Sequence, residues 1–573
     1  MKRLYWGILI GFFILFSFSP TVYELSQKEK LNGRTFELVH NYITDYNFYL
    51  SRIREGMEGR WTVIEQYTSE SHGGSLVQIF YLLLGKTDNH APTMLLGVTG
   101  AYHSARIVFG ATVLILIALW VRFLFPTLLW QTIAFLVVVT ASVWPHVVPV
   151  GDSLRFGGPM SWWTLMDNLQ RLTFLPHLLI GQALLVFLLF AGGNEETLKK
   201  SGNWVFLGIL AFVLGMIFPP GLVFVGVTYG VMILLSFFTH LKLLSKKSDR
   251  ETWISTQVLS RVLIGLLSFP SFVYFSLMLT MYPWKRLMEL DVIHPLPFQF
   301  PEYILALGPT LPLGILGLLL VFIKKDRKFM SAVAWVIAWM LCLFVFQYIP
   351  QQSPLRFSEM LPQVPLGILT TYLFYQIFFS TQLFFRSPKE NDEGGIRNNG
   401  RFQKSIVFII LYSLFIIPIA LGFGVMTSSF LWQKDFIDQK IAAGWPGITM
   451  NNIIVYPITG FVDGLMYLEK NIPKDAVVLS DMTAGNYIPP YTGRRVFVGH
   501  DNTVNLESKR EEARMFFRGE TNDAYEWLTG NGIGSVFFGP QEKELGKLQD
   551  LITAYPFLQE VYKNVDVTIY VVP

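Results

Sequence analysis

Eleven long apolar runs constrain what this chain can fold into more than any other feature of its sequence. A hydrocarbon core about 30 Å thick is crossed by a helix of about 20 apolar residues. Only 15% of the 573 residues are charged and 52% are hydrophobic, whereas roughly 25% of the residues of a soluble domain are charged. The sequence therefore predicts an α-helical polytopic membrane protein with about eleven transmembrane helices. The runs lie near 4–20, 98–121, 127–145, 175–192, 203–218, 221–239, 254–281, 303–323, 329–348, 363–385 and 405–427.

The first apolar run, one short apolar stretch and one polar loop need separate interpretation. The first run follows Lys2 and Arg3 but precedes no small-residue cleavage site, so we expect an uncleaved anchor rather than a signal peptide. The apolar stretch at 75–85 is too short to span a bilayer, which predicts an interfacial or re-entrant helix. Residues 386–404 are polar and glycine-containing, which predicts a flexible cytoplasmic loop.

The distribution of positive charge indicates how the chain is oriented. Lysine and arginine accumulate in the short cytoplasmic loops of membrane proteins. With the N-terminus in the cytoplasm, the short exterior loops carry only Arg155, Arg171, Lys285, Arg286 and Arg356. The asymmetry therefore places the loops 21–97 and 146–174 and the C-terminal tail outside. The sixteen cytoplasmic residues are Arg122, Lys199, Lys200, Lys242, Lys246, Lys247, Arg250, Lys324, Lys325, Arg327, Lys328, Arg386, Lys389, Arg397, Arg401 and Lys404.

The tail, 430–573, differs from the rest of the chain. It carries 13 lysines and arginines against 18 aspartates and glutamates, and β-branched or aromatic runs alternate with helical patterns. We therefore predict a transmembrane domain at 1–429, whose exterior loop 21–97 carries interfacial helices, and an exterior soluble α/β domain at 430–573. The expected strands are 476–480, 495–499, 535–539 and 565–572, and the expected helices are 507–517 and 522–532.

A lone acidic residue, Asp45, lies among aromatic residues in the first exterior loop. Tyr42, Tyr46, Tyr49 and Ile53 recur at helical spacing, which predicts an amphipathic helix with one face on the membrane. The arginines of this helix would then meet lipid headgroups, and its glutamates would face water. Asp45 would either cap and solvate the helix, or act at the water–lipid boundary as a general base or metal ligand.

Other exterior residues extend this candidate site. Acidic groups from two loops and cations from several suit a place where an anionic lipid headgroup meets a neutral nucleophile, and arginine binds two phosphate oxygens at once. Each residue could instead be an ordinary loop or snorkelling residue. The candidates are the phosphate-binding Arg171 and Arg356 and the supporting Glu70, His72, Asp152, Arg155 and His177.

The remaining histidines do not form a recognisable metal motif. His500 and the others lack the spacing of known zinc ligands, so we expect no zinc site, and His103 and His146 are interpreted as helix-end residues. A divalent cation, Mg²⁺ or Mn²⁺, is the alternative that the sequence leaves open.

Four segments resemble the GT-C superfamily of membrane glycosyltransferases. They are DYNFYLSRIREGMEG at 45–59, YHSARIVFG at 102–110, RLTFLPHLLIG at 171–181 and PLRFSEMLPQVPLGIL at 354–369. The resemblance implies many spans, interfacial helices in the first exterior loop and an exterior C-terminal domain. It also implies that Asp45 activates the acceptor, that Arg356 holds the donor phosphate and that Asp152 supplies a second acidic group.

The C-terminal part resembles, more faintly, the exterior domain of the oligosaccharyltransferase catalytic subunit. The WWDYG motif, which reads the acceptor sequon there, is replaced by DMTAGN at 481–486, which removes the main argument for asparagine-linked transfer. The resemblance implies inverting transfer of a hexosyl or pentosyl group from a polyprenyl-phosphate-linked donor to a glycan, lipid or protein acceptor. We expect membrane lipids as further partners and no nucleic acid.

Two other functions compete with sugar transfer. A lipid-linked glycan polymerase or ligase would act on longer glycans at the same face. A transporter or flippase would show ionisable residues near the centres of several spans and broken helices paired between two halves. Here the charges lie at the ends of the spans, which favours an enzyme.

Overall fold

The computed structural model describes residues 2–87, 93–240, 246–293, 298–345, 348, 354–386, 397–442 and 456–573. These residues form two compact units. The helical unit comprises 1–18, 107–271 and 296–431, and the mixed unit comprises 19–106, 272–295 and 432–573.

Helices make up most of the chain. The first twelve are α1 (Lys2–Ser17), α2 (Ser19–Ser26), α3 (Ile43–Met57), α4 (Ile79–Gly85), α5 (Met94–Leu124), α6 (Leu128–Thr140), α7 (Pro176–Gly192), α8 (Glu195–Leu198), α9 (Ser201–Ile217), α10 (Pro219–His240), α11 (Lys247–Trp253) and α12 (Ser260–Met278). The next seven are α13 (Arg286–Ile293), α14 (Phe300–Ala306), α15 (Thr310–Lys324), α16 (Met330–Val345), α17 (Pro354–Ser358), α18 (Gln363–Arg386) and α19 (Arg397–Ala442).

Several of these helices can cross a membrane. Among the described residues, six helices are long and apolar enough to span a bilayer, and two bent pairs, α1 with α2 and α14 with α15, could each form one more span. Three shorter apolar helices, α6, α7 and α9, also coincide with predicted runs. The prediction of a helical, multi-pass membrane protein is thereby confirmed.

Glycines allow the helices of the helical unit to pack closely. A Cβ at Gly317 of α15 would lie 2.1 Å from the carbonyl oxygen of Leu369 on α18. Helices in lipid associate chiefly through close backbone approach at such small residues. Deeper in the same unit, the rings of Trp120 and Trp335 stack with centroids 5.6 Å apart, and both side chains are buried.

The mixed unit contains a five-stranded sheet. Its strands are β3 (Val477–Leu479), β4 (Arg495–Val496), β5 (Ile533–Phe538), β6 (Gln559–Lys563) and β7 (Thr568–Val571), whereas β1 (His146–Val150) and β2 (Ser153–Gly157) form a hairpin in the helical unit. The strand order is β4-β3-β5-β7-β6, with β4, β3 and β5 parallel and β7 antiparallel to both of its neighbours. The helices around the sheet are α20 (Thr459–Asn471), α21 (Met482–Thr492), α22 (Leu506–Phe517), α23 (Ala524–Gly530) and α24 (Pro540–Gly546).

The expected small α/β region is thus present. All four predicted strands overlap observed ones, and both predicted helices correspond to α22 and α23. Helix α21 was not predicted because Gly485, Pro489 and Pro490 are typical helix breakers. The prediction of a flexible loop at 386–404 is wrong where it overlaps α19, which begins at Arg397, and residues 387–396 lie outside the described residues.

The amphipathic helix expected around Asp45 is α3, but its surroundings differ from the prediction. Arg52, Arg54 and Glu55 are buried, so they meet neither headgroups nor water. Helix α3 packs on α4, the short helix expected at 75–85. Gly56 makes this possible, because a Cβ there would lie 1.9 Å from the carbonyl oxygen of Leu82.

Candidate active site

A buried cluster of charged side chains holds α3 in place. The Arg52 guanidinium lies 2.6 Å from Glu65 and 3.2 Å from Glu55, and it also donates to the carbonyl oxygen of Ile64 at 2.8 Å. Its Cζ lies 4.4 Å from the centre of the Phe48 ring. Burial raises the pKa of Glu55 to about 7, although Arg52 acts in the opposite direction. A buried arginine with this many partners holds the helix in one orientation, because removing any partner leaves a charge uncompensated.

The C-terminal part of the mixed unit also holds α3, through Arg54 near the end of the helix and Asn47 near its start. Arg54 donates to the carbonyl oxygen of Tyr491 at 2.6 Å and to the carboxylate of Glu469 at 2.7 Å. Asn47 donates to the side chain of Asn486 at 2.9 Å, and both side chains are buried. Helix α3 is therefore a rigid element of the mixed unit.

Asp45 lies in the first turn of this rigid helix. Its side chain is 51% exposed, whereas that of His500 is 5% exposed, and the Asp45 Oδ1 to His500 Nε2 distance is 3.8 Å. The His500 ring stacks on Phe48 with centroids 4.6 Å apart and an interplanar angle of 15°. A half-exposed carboxylate is thus held beside a buried imidazole.

The hydrogen bonding of His500 determines where its proton lies. Nδ1 accepts the backbone N–H of Asn502 at 3.1 Å, so in the neutral ring the proton is on Nε2. Among the described residues, Nε2 is buried without a hydrogen-bond partner. The ring therefore directs towards Asp45 an N–H group that has no hydrogen-bond acceptor among the described residues. If the Asp45 carboxylate moved less than about 1 Å closer, the two groups would form a charge-assisted hydrogen bond.

A second buried network lies next to α3. Nδ1 of His103 accepts a hydrogen bond from Nη1 of Arg106 at 2.9 Å. Nε2 of His103 donates to the carbonyl oxygen of Leu38 at 2.9 Å. The hydroxyl of Tyr46 lies 3.2 Å from the same Nε2. His103 was expected at a helix end, but it lies in the interior of α5. Because both ring nitrogens have partners, this histidine has a structural role.

The buried Glu37 lies in the same unit. Burial raises the pKa of its carboxyl to about 8, and Lys440 lowers it only in part. At neutral pH the folded protein therefore keeps a proton on Glu37, whereas the unfolded chain loses it above about pH 4.5.

This difference predicts a pH dependence of stability. As the pH rises from about 4.5 to 8, the unfolded state binds fewer protons than the folded state, so the free energy of unfolding falls. Glu37→Gln abolishes this loss, on the order of a few kcal/mol by pH 8. Thermal unfolding of both proteins between pH 4.5 and 8 measures the effect, with the exposed Glu29→Gln as a control that should follow the wild type. Parallel curves for wild type and Glu37→Gln would contradict the raised pKa.

Glu70 joins the first loop to the C-terminal part of the mixed unit, and His72 stabilises the first loop itself. Glu70 contacts Lys509 Nζ at 2.7 Å and accepts from the hydroxyl of Thr68. Partial burial acts to raise the pKa of Glu70, but these hydrogen bonds lower it below its usual value. Nε2 of His72 accepts the N–H of Glu65, and Nδ1 donates to the carbonyl oxygen of Glu70.

The other candidates belong to the helical unit. Asp152 is exposed in the turn between β1 and β2, and Arg155 of β2 donates to the carbonyl oxygen of Leu431 at 3.3 Å. His177 is half-buried in the first turn of α7.

The two arginines expected to bind phosphate have different surroundings. Arg171 is buried, donates to the carbonyl oxygen of Ala141 at 2.7 Å, and has its pKa lowered by burial to about 10. Arg356 of α17 is 41% exposed and lies 3.5 Å from the buried carboxylate of Glu359. Arg356 therefore has the exposed, oriented guanidinium that a phosphate requires.

The sequence does not indicate the main neighbour of Asp45. His500 follows a predicted strand in the tail, and only the tertiary fold brings it beside the first turn of α3. Among the described residues, no group of three or more histidine, cysteine, aspartate or glutamate side chains could hold a metal ion. Asp45 and His500 supply two ligands at most, so they do not by themselves fit the divalent cation that was left open.

The similarity of this protein to known proteins lies in its fold. No protein-family model matches the sequence, and no curated protein matches it. The structure nevertheless has a fold similar to that of an archaeal oligosaccharyltransferase, which confirms the predicted resemblance at the level of the fold.

The solved structure that supports this comparison comes from Archaeoglobus fulgidus. The crystal structure of its oligosaccharyltransferase tethered to an acceptor peptide containing the NVT sequon matches with a TM-score of 0.51 and 12% identity, over 100% of this chain and 74% of that one. The archaeal oligosaccharyltransferase AglB from the same organism, in complex with an inhibitory peptide and a dolichol-phosphate, gives a TM-score of 0.49 and 11% identity over the same shares of the two chains.

Proposed function

We propose that this protein is a membrane glycosyltransferase that moves a sugar from a polyprenyl-phosphate-linked donor to an acceptor at the extracytoplasmic face. The observation that carries the proposal is the half-exposed carboxylate of Asp45, held on a rigid and otherwise buried helix in a chain with the oligosaccharyltransferase fold. A solved structure with that fold holds a tethered acceptor peptide, one of the two kinds of substrate that the proposal requires.

Asp45 acts as the general base in the proposed reaction. Its carboxylate takes the proton from the acceptor nucleophile as that atom attacks the anomeric carbon of the donor. The bond between this carbon and the phosphate oxygen breaks on the opposite face, which inverts the configuration. The polyprenyl phosphate departs with the bonding electrons and an additional negative charge.

Two further residues support this step. His500 donates its Nε2–H to Asp45 and positions the carboxylate, since the ring itself is fixed by Phe48 and Asn502. Arg356 binds the donor phosphate and stabilises the charge that develops on it, with Glu359 orienting its guanidinium. Arg171, Asp152, Arg155, Glu70, His72 and His177 remain candidates for supporting roles.

A transfer assay tests the proposal. The full-length protein, reconstituted in liposomes, is supplied with synthetic polyprenyl-phosphate sugars of hexose or pentose type and with glycan, lipid or peptide acceptors, and the released polyprenyl phosphate is measured. Acceptor-dependent release is the expected result. Failure to release polyprenyl phosphate from any of these donors would contradict the proposal.

His500→Phe separates positioning from folding. The phenyl ring keeps the stacking on Phe48 but lacks the Nε2–H group, so we expect kcat to fall about 10-fold or more, the value of a hydrogen bond to a charged group. The KM for the donor and the thermal stability should stay close to those of the wild type. Unchanged kcat would show that His500 does not act on Asp45.

We also propose the full topology: eleven spans, a cytoplasmic N-terminus and an extracytoplasmic C-terminal part. The three short apolar helices and the two bent pairs complete the count, and the excess of lysine and arginine in one set of loops supports the orientation.

Cysteine labelling tests this orientation. In a Cys342→Ser background, an impermeant thiol reagent should label Ser508→Cys in intact cells, because Ser508 is exposed on α22. Asn398→Cys should react only after permeabilisation. The reverse pattern would place Asp45 on the cytoplasmic side and refute the extracytoplasmic reaction.

A further inference from the structure

A cavity lies at one end of the helical unit. It has a volume of about 270 Å³ and is bounded by the last turns of α7 and α10 and the first turns of α12 and α16. This is the end of the bundle at which the loops rich in lysine and arginine connect the helices. It involves neither Asp45 nor Arg356.

Two glycines at the end of α7 shape this region. A Cβ at Gly193 would lie 2.6 Å from the Cβ of Ser331, and a Cβ at Gly192 would lie 2.3 Å from the hydroxyl oxygen of Tyr229. The backbone of α7 therefore passes directly against α10 and α16. The cavity remains beside these contacts.

The π-helix Ile254–Leu259 places a buried arginine in the cavity wall. Nη1 of Arg261 donates to the backbone and side-chain oxygens of Gln257 at 2.8 and 2.7 Å, and Nη2 donates to the carbonyl oxygen of Gly192 at 2.8 Å. The charge that acts on this guanidinium is that of Glu195, an exposed residue that also lines the cavity. Single π-helical turns occur frequently at functional sites, and here the turn orients a buried cation.

The rest of the lining is amphipathic. Arg327 and Lys328 add two exposed cations, and Glu195 and Glu196 add two exposed carboxylates, of which Glu196 pairs with Lys199 outside the cavity. The other walls carry aromatic and aliphatic side chains, among them those of Trp120, Phe190 and Met232. A ligand of this site must therefore place a negative charge near Arg261 against apolar walls.

We propose that this cavity binds a phosphate group, supplied by the headgroup of an anionic phospholipid or by free phosphate. Arginine is the side chain best suited to phosphate, and basic pockets between transmembrane helices on the cytoplasmic side bind anionic headgroups. A phosphate bound in the cavity supplies a countercharge for the buried Arg261, whose acidic neighbour Glu195 is exposed to solvent. The phospholipid also matches the apolar walls, which free phosphate does not use.

Native mass spectrometry of the full-length protein tests the site. The protein is released from nanodiscs of phosphatidylcholine that contain phosphatidylglycerol, and in a parallel arm inorganic phosphate is added to protein in pure phosphatidylcholine. We expect one retained phosphatidylglycerol per chain. Retention of phosphate in the second arm without preference for phosphatidylglycerol in the first would assign free phosphate as the ligand and keep the site.

Variants separate this site from general surface charge. Lys328→Gln should lower the apparent affinity for phosphatidylglycerol about fivefold, the effect of one cation near an anionic headgroup, and Arg261→Gln should abolish retention. Lys324→Gln is the matched control, since Lys324 is an exposed lysine at the same end but outside the lining. If Arg261→Gln does not fold, the comparison of the phosphatidylglycerol affinities of Lys328→Gln and Lys324→Gln still tests the proposal. Equal retention of both lipids by the wild type together with no retention of inorganic phosphate, or equal affinities of these two variants, would overturn the proposal.

Discussion

Replacing Asp45 by asparagine lowers the rate of sugar transfer about 10²–10⁴-fold, the usual effect of losing a general base. Asparagine keeps the size of the side chain but cannot accept the proton of the attacking nucleophile. Because Asp45 is half-exposed on a helix that other residues hold in place, we expect normal thermal stability and nearly unchanged donor affinity. Single-turnover transfer and equilibrium donor binding measure the two effects separately.

The control for this experiment is Asp463→Asn, which changes an exposed aspartate on helix α20 of the same unit. It should transfer sugar at the wild-type rate. If Asp45→Asn kept near-normal turnover while Asp152→Asn did not, the base would lie in the second exterior loop instead.

Replacing Arg52 by methionine has the largest expected effect on stability. The substitution leaves Glu55 and Glu65 buried without their cation, and breaking a buried ion pair in this way costs about 3–5 kcal/mol. We expect the midpoint of denaturant-induced unfolding to fall accordingly, as followed by tryptophan fluorescence in detergent. The exposed Arg60→Met should leave the midpoint unchanged.

A second substitution tests the cause of that loss. Combining Arg52→Met with Glu65→Leu removes one of the stranded carboxylates, so part of the lost stability should return. A double variant less stable than Arg52→Met alone would show that packing around Arg52, rather than uncompensated charge, determines the cost.

The pattern of the sequence predicts helix α3 but not the environment of its charges. A period of 3.6 residues follows from local geometry, so Tyr46, Tyr49 and Ile53 suffice to indicate a helix. Whether Arg54 faces lipid headgroups or a carboxylate depends on a residue far away in the chain, Glu469, and the carboxylates around Arg52 are brought together by the turn of the loop after α3. The amphipathic pattern of the sequence is the same whether the arginines face lipid headgroups or carboxylates.

The candidate site likewise combines a residue that the local sequence indicates with one that only the tertiary structure brings near. Asp45 is conspicuous in the sequence as the only acidic residue in an aromatic segment, whereas His500 follows an ordinary strand. Their approach to 3.8 Å is set by the packing of the tail on the first loop. Arg171 illustrates the converse, because its sequence position suggested exposure at the mouth of a span while the fold buries it.

The hydrogen bonds between Arg54 and the C-terminal part have a consequence for biosynthesis. The carbonyl oxygen of Tyr491 and the carboxylate of Glu469, to which Arg54 donates, are translated more than 400 residues after it. At roughly 5–20 residues per second, the arginine waits on the order of tens of seconds for these partners. During that interval the charge of Arg54 is balanced only by Glu58, four residues further along the same helix. The helix that bears Asp45 therefore reaches its final position only when the last fifth of the chain has emerged from the ribosome.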